Sequence, residues 1–261
     1  FGAKFDKEFS DLAIENIKAH IDLNLNEKVL SLEADSNNNV KAVVTDKGKY
    51  DANYVVVAIG VTPNSDLAKE AGIKLMENGA IFVDREGKTS IDSIYAAGDC
   101  AGIYDRVLND TSYAALATGA NKLGRMVASN LIGGKEKFIG SLGSACILCF
   151  DLEMARTGIT EEEAKKRNIN YKTVTVKDID HTHYYPDYQD LHIKLVYSAE
   201  DRKILGGQIA GKRGAVLRSD VIAACIHAGL TVDELGMLDL CYAPPFARTW
   251  DSLNVVGNAA K

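Results

Sequence analysis

The chain has 261 residues, the length of one large or two ordinary domains at roughly 100–200 residues each. Hydrophobic residues (46%) and charged residues (25%) balance as in a folded globular protein, and a net charge of −6 argues against a general nucleic-acid binder. The longest apolar run, Val55 to Val61, is about seven residues where a membrane-spanning helix needs about 20, so no membrane span is expected.

In chain order, Asp6 to His20 carries Phe9, Leu12, Ala13 and Ile17 at helical spacing, with acidic residues at its start. Lys28 to Ala34 and Val40 to Thr45 read as a hairpin around the turn cluster Ser36–Asn39, with a second turn at Asp46–Lys49. Tyr54 to Ile59 is a short continuous apolar run ending at Gly60 and predicts a fully buried strand. A short helix from Leu67 to Ala71 and a strand at Ala80–Val83 follow. Ile94 to Ala97 predicts another buried strand, ending at Gly98-Asp99. A long helix is expected from about Ser112 to Leu131, stopped by Gly133-Gly134.

The texture changes near Gly140, from an α/β part to an α+β part. Ala145 to Phe150 reads as a strand, and Thr160-Glu161-Glu162-Glu163 as a capping box opening a helix to Asn168. Tyr171–Val176, Leu191–Tyr197 and Ile204–Ala210 are expected in one antiparallel sheet. Helices at Ala215–Ala228, ending at Gly229, and Val232–Leu238 complete the reading.

The strongest chemical signal is the stretch Thr89 to Asp99. A buried strand there would deliver Gly98-Asp99 to its carboxyl end, where open α/β sheets bind ligands. Gly98 permits a close approach to the backbone, and Asp99 offers a carboxylate to hydroxyl groups. A plain strand-ending turn is the competing reading. The segment resembles the second flavin-binding motif of the pyridine nucleotide-disulfide oxidoreductases, and Tyr54–Asn64 resembles the strand preceding it in that family. The resemblance implies that Asp99 binds the ribityl chain of FAD. It also implies that the helix start at Ala114, Ala115, Leu116 and Ala117 lies against the flavin pyrimidine edge, where a helix N-terminus favours negative charge. A plain packing helix is the alternative.

A second signal, Tyr242-Ala243-Pro244-Pro245-Phe246-Ala247 followed by Trp250-Asp251, resembles the end of the coenzyme A-disulfide reductase branch. That resemblance implies a tyrosine, Tyr242, reaching a partner's active site, joined by Tyr184 or Tyr185 of His183-Tyr184-Tyr185-Pro186, with Tyr184 favoured. Such phenols would protonate a leaving thiolate or orient a disulfide; interface packing is the other reading. Phe150–Leu152 and Ala155–Gly158 resemble the family's C-terminal interface domain.

The chain departs from the family in one respect. No Gly-x-Gly occurs in it, so neither dinucleotide phosphate loop is present, nor is the redox cysteine beside the first loop. The expectation is the C-terminal portion of a longer FAD- and NAD(P)H-dependent enzyme. Residues 1–53 would end the NAD(P)-binding domain, 54–139 would form the second FAD-binding segment, and 140–261 would form a dimerisation domain pairing two copies. The substrate would be a small disulfide or persulfide of coenzyme A type. A non-catalytic dimerisation module, or reduction of oxygen or peroxide, are the alternatives.

Cys146-Ile147-Leu148-Cys149 matches C-x-x-C but sits in an apolar strand, where residues three apart face opposite sides; buried structural cysteines are expected. Cys225 falls in a helix, and Cys100 and Cys241 neighbour Asp99 and Tyr242. His181 and His183 would share a face if extended, but no further ligands stand out, so no metal is expected. Gly211-Lys212-Arg213-Gly214 reads as a strand-to-helix turn whose cations could meet an anion. Five cysteines and no signal peptide point to a cytoplasmic protein.

Overall fold

Alternation of apolar and polar residues sets the largest element. The computed structural model describes residues 4–261, and its main sheet has five antiparallel strands. These are β6 (Ala145–Cys149), β7 (Leu152–Gly158), β8 (Tyr171–Ile179), β9 (Asp190–Ser198) and β10 (Ile204–Gly211), in the spatial order β6-β7-β10-β9-β8. Leu191, Ile193, Leu195 and Tyr197 of β9 point to one face. There they pack with Ile209 against α5 (Ala215–Ala228), α6 (Val232–Gly236) and α7 (Ser252–Ala259), through Ile222, Cys225, Leu235, Leu253 and Val256. Each such side chain contributes about 1.5–3 kcal/mol by leaving water.

The opposite face carries Met154 and Ala210. Both are covered by Phe5, and by Phe9 and Ala13 of α1 (Lys7–Lys18). Beside them Ile159 and Val196 pack on Ala164 of α4 (Glu161–Lys166). The Thr160–Glu163 capping box forms as the sequence predicts, and Asn168 at φ +53° ends the turn that follows α4.

The remaining residues form smaller layers. Strands β1 (Val29–Ala34) and β2 (Val40–Thr45) make the expected hairpin, and β3 (Lys49–Asp51), read as a turn from sequence, adds a third strand. After α2 (Asp66–Glu70), the expected strand at Ala80–Val83 is reduced to bridges from Ile81 to Leu75 and Ala101 around a small core. A two-stranded ribbon, β4 (Ile103–Asp105) with β5 (Asp110–Ser112), had no clear sequence signal. Helix α3 (Ala117–Leu131) therefore starts five residues later than expected, because Ser112 is paired in the ribbon with Ile103.

Two expected strands are corrected. Tyr54–Ile59 runs without strand pairing, and Tyr54 and Ile59 are 92% and 93% exposed. A strand apolar on both faces needs neighbours at its edges and cover above and below, and the described residues supply neither. Ile94–Ala97 keeps only an isolated bridge, Tyr95 to Lys88. The last predicted helix ends at Gly236, and α7 was not foreseen.

Candidate functional site

The two tyrosine motifs meet. The ten-residue loop between β8 and β9 carries Tyr184, and the segment before α7 carries Tyr242; their hydroxyls lie 2.9 Å apart. Both side chains are exposed, and the bond to Tyr184 pushes the Tyr242 phenol up from its ordinary value. Tyr185 does not join the pair. Its ring lies edge-on to His181, with centroids 5.6 Å apart. Thr182, His183, Tyr184, Arg248, Thr249 and Trp250 line an adjoining recess of about 290 Å³.

A set of polar groups, several of them buried, holds the two segments. Thr182 donates to the Pro244 carbonyl at 3.2 Å. Asp180 accepts from the Gln189 N–H at 2.8 Å and from Arg213 Nε at 2.7 Å. Burial alone would raise the Asp180 carboxyl, but these donors outweigh it and hold it below its usual range. Arg218 donates to the Asp180 carbonyl and forks onto Asp251, whose other bond, from the Leu253 N–H, caps α7. Arg248 pairs with Asp178. Arg213 belongs to the Gly211–Gly214 stretch, which is the expected strand-to-helix turn, and its neighbour Lys212 pairs with Asp151. This brace escaped sequence reasoning; its only signal was a run of single charges at loop ends.

The Gly98-Asp99 region lies elsewhere on the chain. Gly98 has φ +93°, and a side chain there would meet nothing within 4 Å, so the backbone is bare on that side. Asp99 is exposed, and among the described residues its carboxylate has no hydrogen-bond partner. The Tyr113 hydroxyl donates to the Asp99 carbonyl at 2.8 Å, which ties the approach to α3 to this turn. Ala114, Ala115 and Leu116 are half-buried and precede α3; Leu116 is its N-cap residue and Ala117 its first helical residue. No side chain caps α3, and no acidic residue occupies its first turn, so its N–H groups stay available to an anion. Gly119 lets the helix approach β4, since a Cβ would meet Ile103 at 2.6 Å.

Other candidates resolve differently. His181 is buried while His183 is exposed, so they share no face. Their segment is a turn, not the extended chain that pairing required. Cys149 is buried, as expected, Cys225 is buried within α5, and burial pushes both thiols up. Cys146 is exposed, contrary to expectation, because alternation on β6 turns it away from the core. Among the described residues, Asp6, Glu8 and Glu161 come close enough to share a cation, but Lys194 Nζ already lies among them at 3.0, 2.5 and 2.6 Å. No described helix is long and apolar enough to cross a membrane.

Two regions of the chain match known families. Residues 1–123 match the model described as pyridine nucleotide-disulphide oxidoreductase, and residues 144–253 match the dimerisation domain of the same enzymes. The chain belongs to the pyridine nucleotide-disulphide oxidoreductase family. Within that family it is 38% identical over 257 residues to the NAD(P)H sulfur oxidoreductase (CoA-dependent) of Pyrococcus furiosus, covering 98% of this chain and 58% of the relative. It is 33% identical over 264 residues to the NADH oxidase of Streptococcus pyogenes, covering 98% and 56%. The structure of reduced Bacillus anthracis CoADR-RHD superposes with a TM-score of 0.90 at 37% identity, covering 98% of this chain and 46% of that one. The chain thus spans about half the length of the curated relatives it matches. The flavin that the family resemblance implies is compatible with the residues present: an unpartnered carboxylate, a bare glycine backbone and an uncapped helix start.

Proposed function

We propose that this protein acts in an FAD-dependent NAD(P)H oxidoreductase that reduces a small disulfide or persulfide, carried on coenzyme A. The hydroxyl pair Tyr184–Tyr242, set 2.9 Å apart on an exposed face of the residues matched to the dimerisation domain, carries this reading. The names of the relatives support it, one being a CoA-dependent sulfur oxidoreductase. The chemistry FAD would supply when bound is two-electron transfer between NAD(P)H and a redox cysteine of the complete enzyme. Asp99 and Gly98 hold its sugar-like chain, and the N–H groups at the start of α3, after Ala114, Ala115 and Leu116, favour negative charge beside it. When a reduced cysteine thiolate of the complete enzyme attacks one sulfur of the disulfide and forms a mixed disulfide, Tyr242, backed by Tyr184, would protonate the thiolate that leaves. Tyr185 supports the loop.

We assign residues 1–53, 54–139 and 140–261 to the end of the NAD(P) domain, the second FAD segment and the dimerisation domain. Two copies pair through the third, placing the tyrosines of one beside the active site of its partner. The protein works in the cytoplasm. The NADH oxidase relatives favour a second reading, reduction of oxygen. NAD(P)H consumption measured in the absence and in the presence of oxygen separates the two. Oxidation that depends on added coenzyme A disulfide or persulfide supports the first. Rapid oxidation that needs only oxygen and ignores the disulfide supports the second.

A further inference from the structure

The loop that presents Tyr184 is closed from inside by one ring. His181, 1% exposed, stands at the start of the loop, and its Nε2 lies 3.0 Å from the Pro186 carbonyl at the far side of the tyrosines. A carbonyl only accepts, so Nε2 carries the proton in this contact. The residues between, Thr182 to Tyr185, form a turn closed by the Tyr185 N–H to the Thr182 carbonyl at 3.0 Å. At the other nitrogen, Nδ1 faces Asp180 Oδ1 at 2.8 Å and Arg213 Nη2 at 3.1 Å. Arg213 also donates to the Asp187 carbonyl at 2.7 Å, one residue past Pro186. Both ends of the tyrosine turn are therefore tied to a single buried imidazole and its guanidinium neighbour.

We propose that His181 is the positioning residue of the tyrosine pair: its Nε2–H to the Pro186 carbonyl fixes the turn that holds the Tyr184 hydroxyl against Tyr242. His181 touches no reacting atom and acts through Tyr184. Its effect on turnover rests on the function proposed above; its effect on phenol geometry does not. The two nitrogens make the proposal specific. A glutamine places its amide N–H groups where Nε2 sits, and an asparagine places them nearer Nδ1. His181→Gln thus keeps the bond to Pro186, and His181→Asn gives it up.

The test is a tyrosine-ring NMR titration of the complete protein labelled at Cζ. Tyr184 and Tyr242 are assigned by the signals lost in Tyr184→Phe and Tyr242→Phe. The parent and His181→Gln are expected to show Tyr242 titrating above its ordinary value, and Tyr184→Phe removes that elevation. In His181→Asn, Tyr242 is expected to return to an ordinary titration while the fold is kept. An elevated Tyr242 in His181→Asn, or an ordinary one in a folded His181→Gln, overturns the proposal. If His181→Asn does not fold, the glutamine variant decides alone. If neither folds, His181 belongs to the stability of the domain and the proposal is also overturned. This readout involves no turnover, so its failure is distinct from failure of the proposed function.

Discussion

At the scale of single residues, the chain separates groups that face solvent from groups enclosed with partners. Asp99 is the first kind. In the proposed role as a lone acceptor toward flavin hydroxyls, its loss would cost one charge-assisted hydrogen bond, about 1.5–3 kcal/mol. Asp99→Ala is expected to weaken flavin retention about 10- to 100-fold, measured by absorbance after dialysis, with the unfolding midpoint unchanged.

Lys194 is the second kind. Its ammonium, 4% exposed, pairs with Asp6, Glu8 and Glu161, and these bonds raise it against the effect of burial. Asp6 is lowered despite its burial, by Lys194, the Glu162 N–H and Gln208, and Glu161 is lowered to about 2, chiefly by Lys165 and Lys194. A lowered carboxylate stabilises the fold above its unfolded pKa, and that stability fades as pH falls through its folded pKa. A raised lysine stabilises below its unfolded pKa, and the contribution fades as pH rises through the folded one. Stability from this cluster is therefore expected to be flat from about pH 5 to pH 10 and to fall toward pH 2. Lys194→Met leaves the buried Asp6 without its cation, an expected loss of about 3–5 kcal/mol in urea unfolding at pH 7.

At the scale of elements, helix starts make a graded series. Thr231, half-buried, caps the short α6 with its side chain, and Thr231→Ala is expected to cost ~1 kcal/mol. Asp251 caps α7 and also holds the fork of Arg218, with both groups largely enclosed. Asp251→Ala is expected to cost about 3–5 kcal/mol, because it leaves Arg218 unpaired beside the tyrosine loop. Equal losses in urea unfolding would show that Arg218 contributes nothing here.

Elements whose code is local were legible in the sequence. The Thr160–Glu163 box, the alternation of Leu191, Ile193 and Leu195, and Gly229 ending α5 each use neighbours a few residues away. Strand β7 was missed because Glu153, Arg156 and Thr157 broke its apolar pattern, yet each has a distant partner. Glu153 accepts from the first N–H groups of α5, Arg156 pairs with Glu163, and Thr157 bonds Ser144. Tyr54–Ile59 failed for the opposite reason. Its apolar pattern specifies neighbours, and the described residues do not provide them. At the candidate site, the tyrosines could be named from their motifs. The Asp180–His181–Arg213 brace could not, because it forms only when the β8–β9 loop meets the turn between β10 and α5.

At the scale of the whole molecule, the C-terminal part exposes Tyr184, Tyr242, Phe246 and Trp250. Exposed aromatics near one another mark a surface used in association. If two copies pair there, Phe246→Glu is expected to weaken self-association at least about 30-fold, the effect of ~2 kcal/mol at an interface anchor. Sedimentation equilibrium reads this directly, and an unchanged dimer would place the interface on another face.

In the proposed function the phenol pair serves the disulfide and not the flavin. Rapid mixing of the complete flavin-loaded protein carrying Tyr242→Phe separates the two half-reactions. Flavin reduction by NAD(P)H is expected to keep its rate, while reoxidation by coenzyme A disulfide slows about 100-fold, the usual worth of a positioned proton donor. Equal slowing of both steps, or of neither, would show that Tyr242 has no role specific to the disulfide.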